Sequence, residues 1–596
     1  MPFEFLCYTG SPNDAVAGYP IPLIQGSCII DGHMHINSGA CAPLPLLYVK
    51  KWIGLGQTPL LKRRDVLETV LKTIGFGNGV DTQRLTTVQI GEKIAEINKR
   101  VYRGLINSFD FCDLDLTQEH LENKDLQVIS PMIVAPMDME YAHIAGYGGI
   151  TIYHGEKEEL FFYRRSSGKY IAQCEKYDDK RVSLAHEYDK QKGLKLHKWQ
   201  IQCEQTINAA AKYPLQLFPL YFYDPRRWRF PSGKTMPESM EFGAWDEPFK
   251  SVASAQRPGV FIGFKMYPPL GHKPFDELCE YLPDFYDRCE TEHIPILTHC
   301  SPGGLFTHEA SWYSEFDSYN EGMRFKGRVN QSRRLSALLF PKGRHVPPVK
   351  PVTETYVGFD KMIEKYREYL SDQEFNSRMD YFFKNYVHPE EWRKVLKYFP
   401  DLRLCLAHFG GDEWRRGRIE EWQTDGVQSE WIKSIIDLTK EYANVYTDIS
   451  CFNLDDTLEH GDGTVQDSLR VVLEQLDDKR YYHLRHKIIF GTDWYLTMLN
   501  VTKGGDYGNY CQKAKRFLDS IDRTLWIRFT LVNPWEFYGF GDKRKLNNIR
   551  KGLENEAAKE DRLKHYYNKF LSIGNEISEL KEYLQNFEKF NYQLKS

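Results

Sequence analysis

The chain predicts an α/β fold, a (β/α)8 TIM barrel closed by eight parallel strands, and three observations carry that expectation. First, five short apolar runs each end in a residue able to bind a metal or move a proton. Ser27–Ile30 leads into Asp31-Gly32-His33-Met34-His35, Val260–Phe264 into Lys265, Ile294–Thr298 into His299, Leu402–Ala407 into His408, and Lys487–Thr492 into Asp493. Parallel strands buried on both faces read as continuous apolar runs, and their carboxyl ends line a shared pocket. Second, such runs alternate with helical patterns at the rhythm of repeated βα units. Third, their number is eight, which closes a barrel.

The strands are expected near 27–35, 127–136, 215–223, 260–267, 294–299, 402–408, 444–450 and 487–493. Amphipathic helices are expected from Phe275-Asp276-Glu277-Leu278 onward, over Glu391–Leu396 and over Trp431–Ile436. Two connections, 38–126 after the first strand and 300–401 after the fifth, are far longer than ordinary loops and leave from the catalytic end. The first contains helical patterns at Asp65–Leu71 and Ile94–Val101, so it reads as a cap over the pocket that chooses substrate. Oligomer contacts and simple padding are the equal alternative. From about 545 the chain is charged and helical, with Ile577, Leu580, Leu584 and Phe587 on one stripe. That stripe is expected to pack on its own domain, with dimerisation as the lesser reading. The organisation is therefore one barrel over 1–544 and a helical extension over 545–596.

The chemistry starts from His33 and His35. Alternate side chains of a strand share a face, so both rings can reach one ion. A catalytic metal site needs about three protein ligands and an open position for water, and His299 and Asp493 complete such a set. Asp493 either ligates the ion or takes a proton from its water. Metal binding lowers the pKa of that water from 15.7 toward about 7, which yields a nucleophile at neutral pH. His408 either binds a second ion or orients the water and polarises the substrate. Any one of these histidines could be an ordinary core residue, but that reading does not explain five strand ends together.

At these residues the chain resembles the amidohydrolase superfamily of metal-dependent barrel enzymes, in the branch of the aminocarboxymuconate-semialdehyde decarboxylase-like proteins. The matching segments are Ile30–His35, Gly263–Gly271, Pro295–His299, Leu406–Gly411 and Phe490–Trp494, while Asn444–Ser450 looks like the seventh strand and Val532–Phe540 like the closing segment. The resemblance gives Lys265 two roles. Lys265-Met266-Tyr267-Pro268 is similar to the dihydroorotase context in which a carboxylated lysine bridges two metals. In the decarboxylase-like branch one metal usually suffices, and the lysine would instead meet a substrate carboxylate. A plain ion pair with an acidic neighbour is the third reading. One divalent ion is favoured, Zn2+ first, although Mn2+ and Fe2+ accept the same donors.

Asp138, His143, Asp224, Arg226, Asp412, Glu413 and Arg415 follow strand ends and are read mainly as loop and cap residues, while Tyr267 and Trp494 are candidates for the pocket wall. Three functions remain open. The first is a hydrolase in which metal-activated water attacks an amide, lactone or ester carbonyl. The second is a non-oxidative decarboxylase of an unsaturated or aromatic carboxylate, with Arg226 or Lys265 as clamp. The third is a non-catalytic scaffold.

Composition narrows the partners. Lys+Arg 78 against Asp+Glu 82 leaves a net charge of −4, so nothing points to nucleic acid, and a 41% hydrophobic, 14% aromatic chain can bury a large core. No run approaches 18 apolar residues and no secretory pattern opens the sequence, so a cytoplasmic protein acting on a small molecule is expected, with self-association open. The twelve cysteines include no CxxC pair, and Cys28, Cys300, Cys405 and Cys451 lie in or beside strands, which reads as packed thiols. No Gly-rich phosphate loop accompanies the site, so no nucleotide cofactor is expected.

Overall fold

A computed structural model describes residues 30–35, 131–136, 198–215, 217–225, 228–230, 232–233, 243–270, 272–275, 281–302, 383–452, 454, 464–493, 507–556 and 560–595, with short strands at 5–6, 21–22, 150–152, 159–166 and 169–176. Eight parallel strands organise it: β1 Asp31–Met34, β2 Met132–Val134, β3 Leu217–Pro219 continuing as Tyr221–Phe222, β4 Phe264–Met266, β5 Ile296–His299, β6 Leu404–Ala407, β7 Val445–Asp448 and β8 Ile488–Ile489. Each lies inside an expected run. The ladders are parallel from β1 to β3 and from β3 to β8 in chain order. Beyond the β8 ladder, Gly32 N donates to Phe490 O at 2.9 Å and Asp493 N to His33 O at 2.7 Å, so the last strand also bonds to the first.

Alternation along the strands divides the core in two. One face of each strand, such as Phe264, Met266, Ile296, Leu404, Leu406 and Ile488, packs in a cluster with the surrounding helices. The opposite face, including Leu297, Cys405, Ala407, Tyr446 and Ile489, joins a second cluster that holds the C-terminal segment. Burying this much branched and aromatic surface is the main term that holds the strands together, at ~25 cal/mol per Å2 removed from water.

Helices α1 Lys198–Lys212, α2 Leu282–Thr291, α3 Pro389–Leu396, α4 Glu430–Glu441, α5 Thr464–Leu473 and α6 Tyr507–Asp519 lie between or after the strands. Their starts have local causes. Ser429 caps α4 by accepting from Ile432 N, and Pro389 opens α3 behind His388, whose ring accepts from Glu390 N. The expected helix from Phe275 is found as α2 at Leu282, with 276–280 outside the described residues.

The C-terminal segment forms α7 Asn533–Tyr538, α8 Lys543–Asn555 and α9 Glu560–Lys595. It seats on the amino-terminal side of the strands. Lys545 Nζ donates to Ile262 O just before β4 (3.0 Å), Arg403 before β6 donates to Glu536 O (3.4 Å), and Phe570 packs 5.4 Å from Phe218 between ring centroids. Leu563, Phe570, Ile573, Ile577, Leu580 and Leu584 form its buried stripe, the i, i+3, i+4, i+7 pattern of one helix face. The tail thus docks on its own chain, and the side chain of Phe587 lies outside the described residues.

One long connection escaped the sequence reading. Between β2 and β3 the chain builds an antiparallel sheet from Ile150–Ile152, Glu159–Ser166 and Lys169–Lys176. The expected helices at 65–71 and 94–101, and most of 300–401, lie outside the described residues. Among the described residues no helix is long and apolar enough to cross a membrane.

Candidate metal centre

The strand ends meet around His33 and His35. Both are buried, on the same side of β1, and the end of β8 is drawn against them. Gly491 permits this approach, because a Cβ there would lie 2.7 Å from His33 Cβ. Asp31 ties the two strands: one carboxylate oxygen accepts Thr492 N at 3.0 Å and His33 N at 3.3 Å, and the other accepts Thr492 Oγ1 at 2.6 Å. Tyr538 adds a hydroxyl donated to Gly32 O at 2.7 Å. Asp493 then sits at φ 49°, a left-handed backbone that is uncommon outside glycine and that surrounding bonds must hold.

The hydrogen bonds assign the ring protons. His35 Nδ1 lies 2.7 Å from Ala135 O, which can only accept, so Nδ1 carries the proton and Nε2 a lone pair. That lone pair faces Asp493 Oδ1 at 3.0 Å. Oδ1 is buried and receives no aligned hydrogen bond among the described residues. Two acceptors at this distance repel unless a cation lies between them, either a proton on Nε2 or a metal ion. His33 follows the same logic: Nδ1 lies 3.0 Å from Asp448 Oδ2, leaving its Nε2 lone pair 2.9 Å from Lys265 Nζ and 3.8 Å from Asp493 Oδ1. One ligand atom from each of His33, His35 and Asp493 lies within 4.8 Å of the others, so this donor set fits one divalent ion.

His408 and His299 border the group. His408 Nδ1 lies 2.9 Å from Ser450 Oγ, and its ring stands 5.0 Å from that of His33 and 4.7 Å from that of His299. His408 and Phe409 both have positive φ, 69° and 36°, and the following Gly410 and Gly411 complete the turn. His299 Nε2 lies 3.1 Å from Ser301 O, which assigns the proton to Nε2 and the lone pair to Nδ1. The Tyr267 ring lies tilted beside that of His299, 4.7 Å between centroids.

Burial shapes the charges. It pushes the His33 imidazolium down to about 3, with the Lys265 charge adding to the shift, so His33 is a neutral donor at pH 7. Burial also lowers His408 and brings Lys265 down to about 8. For Asp493 and Asp448 burial acts the other way but is outweighed: the close approach of the His35, His408 and His33 rings holds Asp493 well below the usual carboxylate range, and His33 does the same for Asp448.

The structure therefore brings His33, His35, Asp493, Lys265, His408 and His299 to one end of the strands. Asp412 and Arg415 pair 3.2 Å apart on the surface, and Glu413 accepts from Ser429 at 2.7 Å at the start of α4, so these three are turn and cap residues. Asp224 is buried 3.9 Å from His272. Asp138, His143, Arg226 and Trp494 lie outside the described residues. Sequence reasoning passed over Asp448 as a site residue and Asp31 as a tie between strands. The signal was available, since Val445–Asp448 is a further apolar run that ends in a carboxylate.

Parallel strands thus gather imidazole and carboxylate donors at one end of an α/β fold. The sequence model of the amidohydrolase family matches residues 260–508, from the lead into β4 to beyond Asp493. Over that segment, less than half of its length, the chain is similar to the amidohydrolase family. No curated protein matches it. Among solved structures it is similar to 5-carboxyvanillate decarboxylase LigW2 from Novosphingobium aromaticivorans with bound manganese, at 12% identity over 80% of this chain and 94% of that one, TM-score 0.26. It is also similar to an amidohydrolase from Burkholderia multivorans with bound zinc, at 12% identity over 43% of this chain and 87% of that one, TM-score 0.19. The similarity to the amidohydrolase family therefore rests on the sequence match over 260–508.

Proposed function

We propose that the protein is a hydrolase in which a metal-activated water attacks an amide, lactone or ester carbonyl of a small molecule. The observation that carries the reading is the convergence of His35 Nε2, His33 Nε2 and Asp493 Oδ1, with an ionised carboxylate oxygen facing a lone pair at 3.0 Å. The eight strands form a (β/α)8 barrel over 1–544, with insertions at 38–126 and 300–401 and the extension 545–596 beneath it.

His33, His35 and Asp493 would hold the ion, His299 Nδ1 would be a further donor, and zinc is the first expectation among the divalent ions this set accepts. When bound, such an ion supplies Lewis acidity and lowers the pKa of water toward about 7. Asp493, ionised at neutral pH, takes the proton of the attacking water. Neutral His408 accepts a hydrogen bond that orients this water. Lys265, still largely protonated at pH 7 with its pKa near 8, stabilises negative charge on the substrate. The single His33 Nε2 lone pair, 2.9 Å from Lys265 Nζ, would serve either that ammonium or an ion.

Lys265 also favours a second reading, decarboxylation, because a buried ammonium beside the donor set suits a substrate carboxylate. The test is parallel assay of zinc- and manganese-loaded protein against lactone, ester and amide panels by proton release, and against aromatic and unsaturated carboxylates by carbon dioxide release. Turnover of a carbonyl panel without carbon dioxide supports the hydrolase. Turnover of carboxylates alone overturns it in favour of the decarboxylase.

A further inference from the structure

We infer that Asp448 is the positioning residue of this centre, its carboxylate fixing the ring of His33 and the backbone of His408 at once. The inference rests on the metal-site reading above and adds to it the group that decides how the imidazoles are presented. Asp448 ends β7, is fully buried, and has an assigned partner at each oxygen. Oδ2 accepts from His33 Nδ1 at 3.0 Å. Oδ1 accepts from His408 N at 2.9 Å, from Ser450 N at 3.1 Å and from Ser450 Oγ.

These bonds have separate effects. A carboxylate can only accept, so it holds the proton on His33 Nδ1 and leaves the Nε2 lone pair toward Asp493 and Lys265. The other oxygen holds the His408 backbone at φ 69°, a conformation with an intrinsic cost, and Ser450 Oγ bridges from that same oxygen to His408 Nδ1 at 2.9 Å. Imidazoles from β1 and β6 are thus set by one carboxylate on β7. Asp448 also lies within ligand distance of His33 and His408, but Oδ1 already accepts three hydrogen bonds and Oδ2 accepts from His33 Nδ1 and, at 3.9 Å, from Cys405 Sγ.

Asparagine at this position cannot serve all of these donors. With its oxygen toward His408 and Ser450, its amide faces His33 Nδ1 and moves the ring proton to Nε2, the atom needed for metal. The full-length Asp448→Asn protein is therefore expected to unfold as cooperatively as the parent while its zinc affinity, measured by chelator competition, falls roughly 10–100-fold. Nitrogen chemical shifts from 15N-histidine-labelled protein should show His33 as the Nδ1–H tautomer in the parent and Nε2–H in the variant. Equal zinc affinity of parent and variant would overturn the inference while leaving the metal centre intact. A parent that binds no zinc would instead remove the metal reading. In that case, or if the variant does not fold, the parent's tautomer decides: Nδ1–H on His33 supports the positioning role and Nε2–H rejects it.

Discussion

Replacing Asp31 tests whether the site depends on the tie between its first and last strands. The carboxylate takes two short bonds from Thr492, at 3.0 Å from N and 2.6 Å from Oγ1, and a longer one of 3.3 Å from His33 N, and it is 1% exposed. Hydrogen bonds to charged groups contribute about 1.5–3 kcal/mol each, and donors left buried without them keep their desolvation cost. Removing a buried carboxylate also removes its own desolvation cost, which offsets part of the loss. The two short bonds therefore set a net loss of about 3–4 kcal/mol for Asp31→Ala. Asp31→Asn keeps an oxygen for Thr492 N, and the Thr492 hydroxyl can turn to accept from the new amide, so its loss is about 1–2 kcal/mol. Urea unfolding followed by circular dichroism measures both, and zinc binding should weaken in the same order because Asp493 follows Thr492 directly. An Asp31→Ala protein within about 1 kcal/mol of the parent, with unchanged zinc affinity, would refute the argument.

Other predictions address the reaction and the base of the strands. Asp493→Asn is expected to keep a cooperative thermal transition and to lose turnover on any substrate identified; undiminished turnover would reject Asp493 as the proton acceptor. Lys545 is buried with Nζ donating to Tyr538 O at 2.8 Å and Ile262 O at 3.0 Å, and burial brings its pKa from 10.5 to about 7. Between those values the unfolded chain binds more protons than the folded one, so this lysine makes stability rise with pH from about 7 toward 10.5. Lys545→Met should remove that rise, and the difference between parent and variant urea midpoints across pH 6.5–10 measures it; a flat difference would contradict the assignment.

The strand ends were legible because a strand buried on both faces must be apolar along its length, so a polar residue at its end stands out. His33, His35, Lys265, His299, His408 and Asp493 all share that signature, and all reach the same end of the strands. Asp448 carries it too, yet its value comes from His33 and His408, which are distant in sequence and meet it only in three dimensions. Strand limits were less legible. The β8 ladder stops at Ile489, because beyond it Gly491 crosses against His33 and Asp493 turns to positive φ. The aromatic-rich Glu159–Ser166 and the following Lys169–Lys176 on either side of Ser167-Gly168 marked a hairpin that the barrel rhythm obscured. In the tail, Ile577, Leu580 and Leu584 announced a buried face, but only the fold shows that this face joins the cluster on the amino-terminal side of the strands.

Metal content measured by elemental analysis of protein purified without chelator, beside the His33→Ala/His35→Ala variant, tests the central claim most directly. The account predicts about one equivalent of a divalent metal in the parent and its loss in a variant that still unfolds cooperatively. Metal retained in full by the double variant, or absent from the parent even after reloading with zinc or manganese, would contradict it.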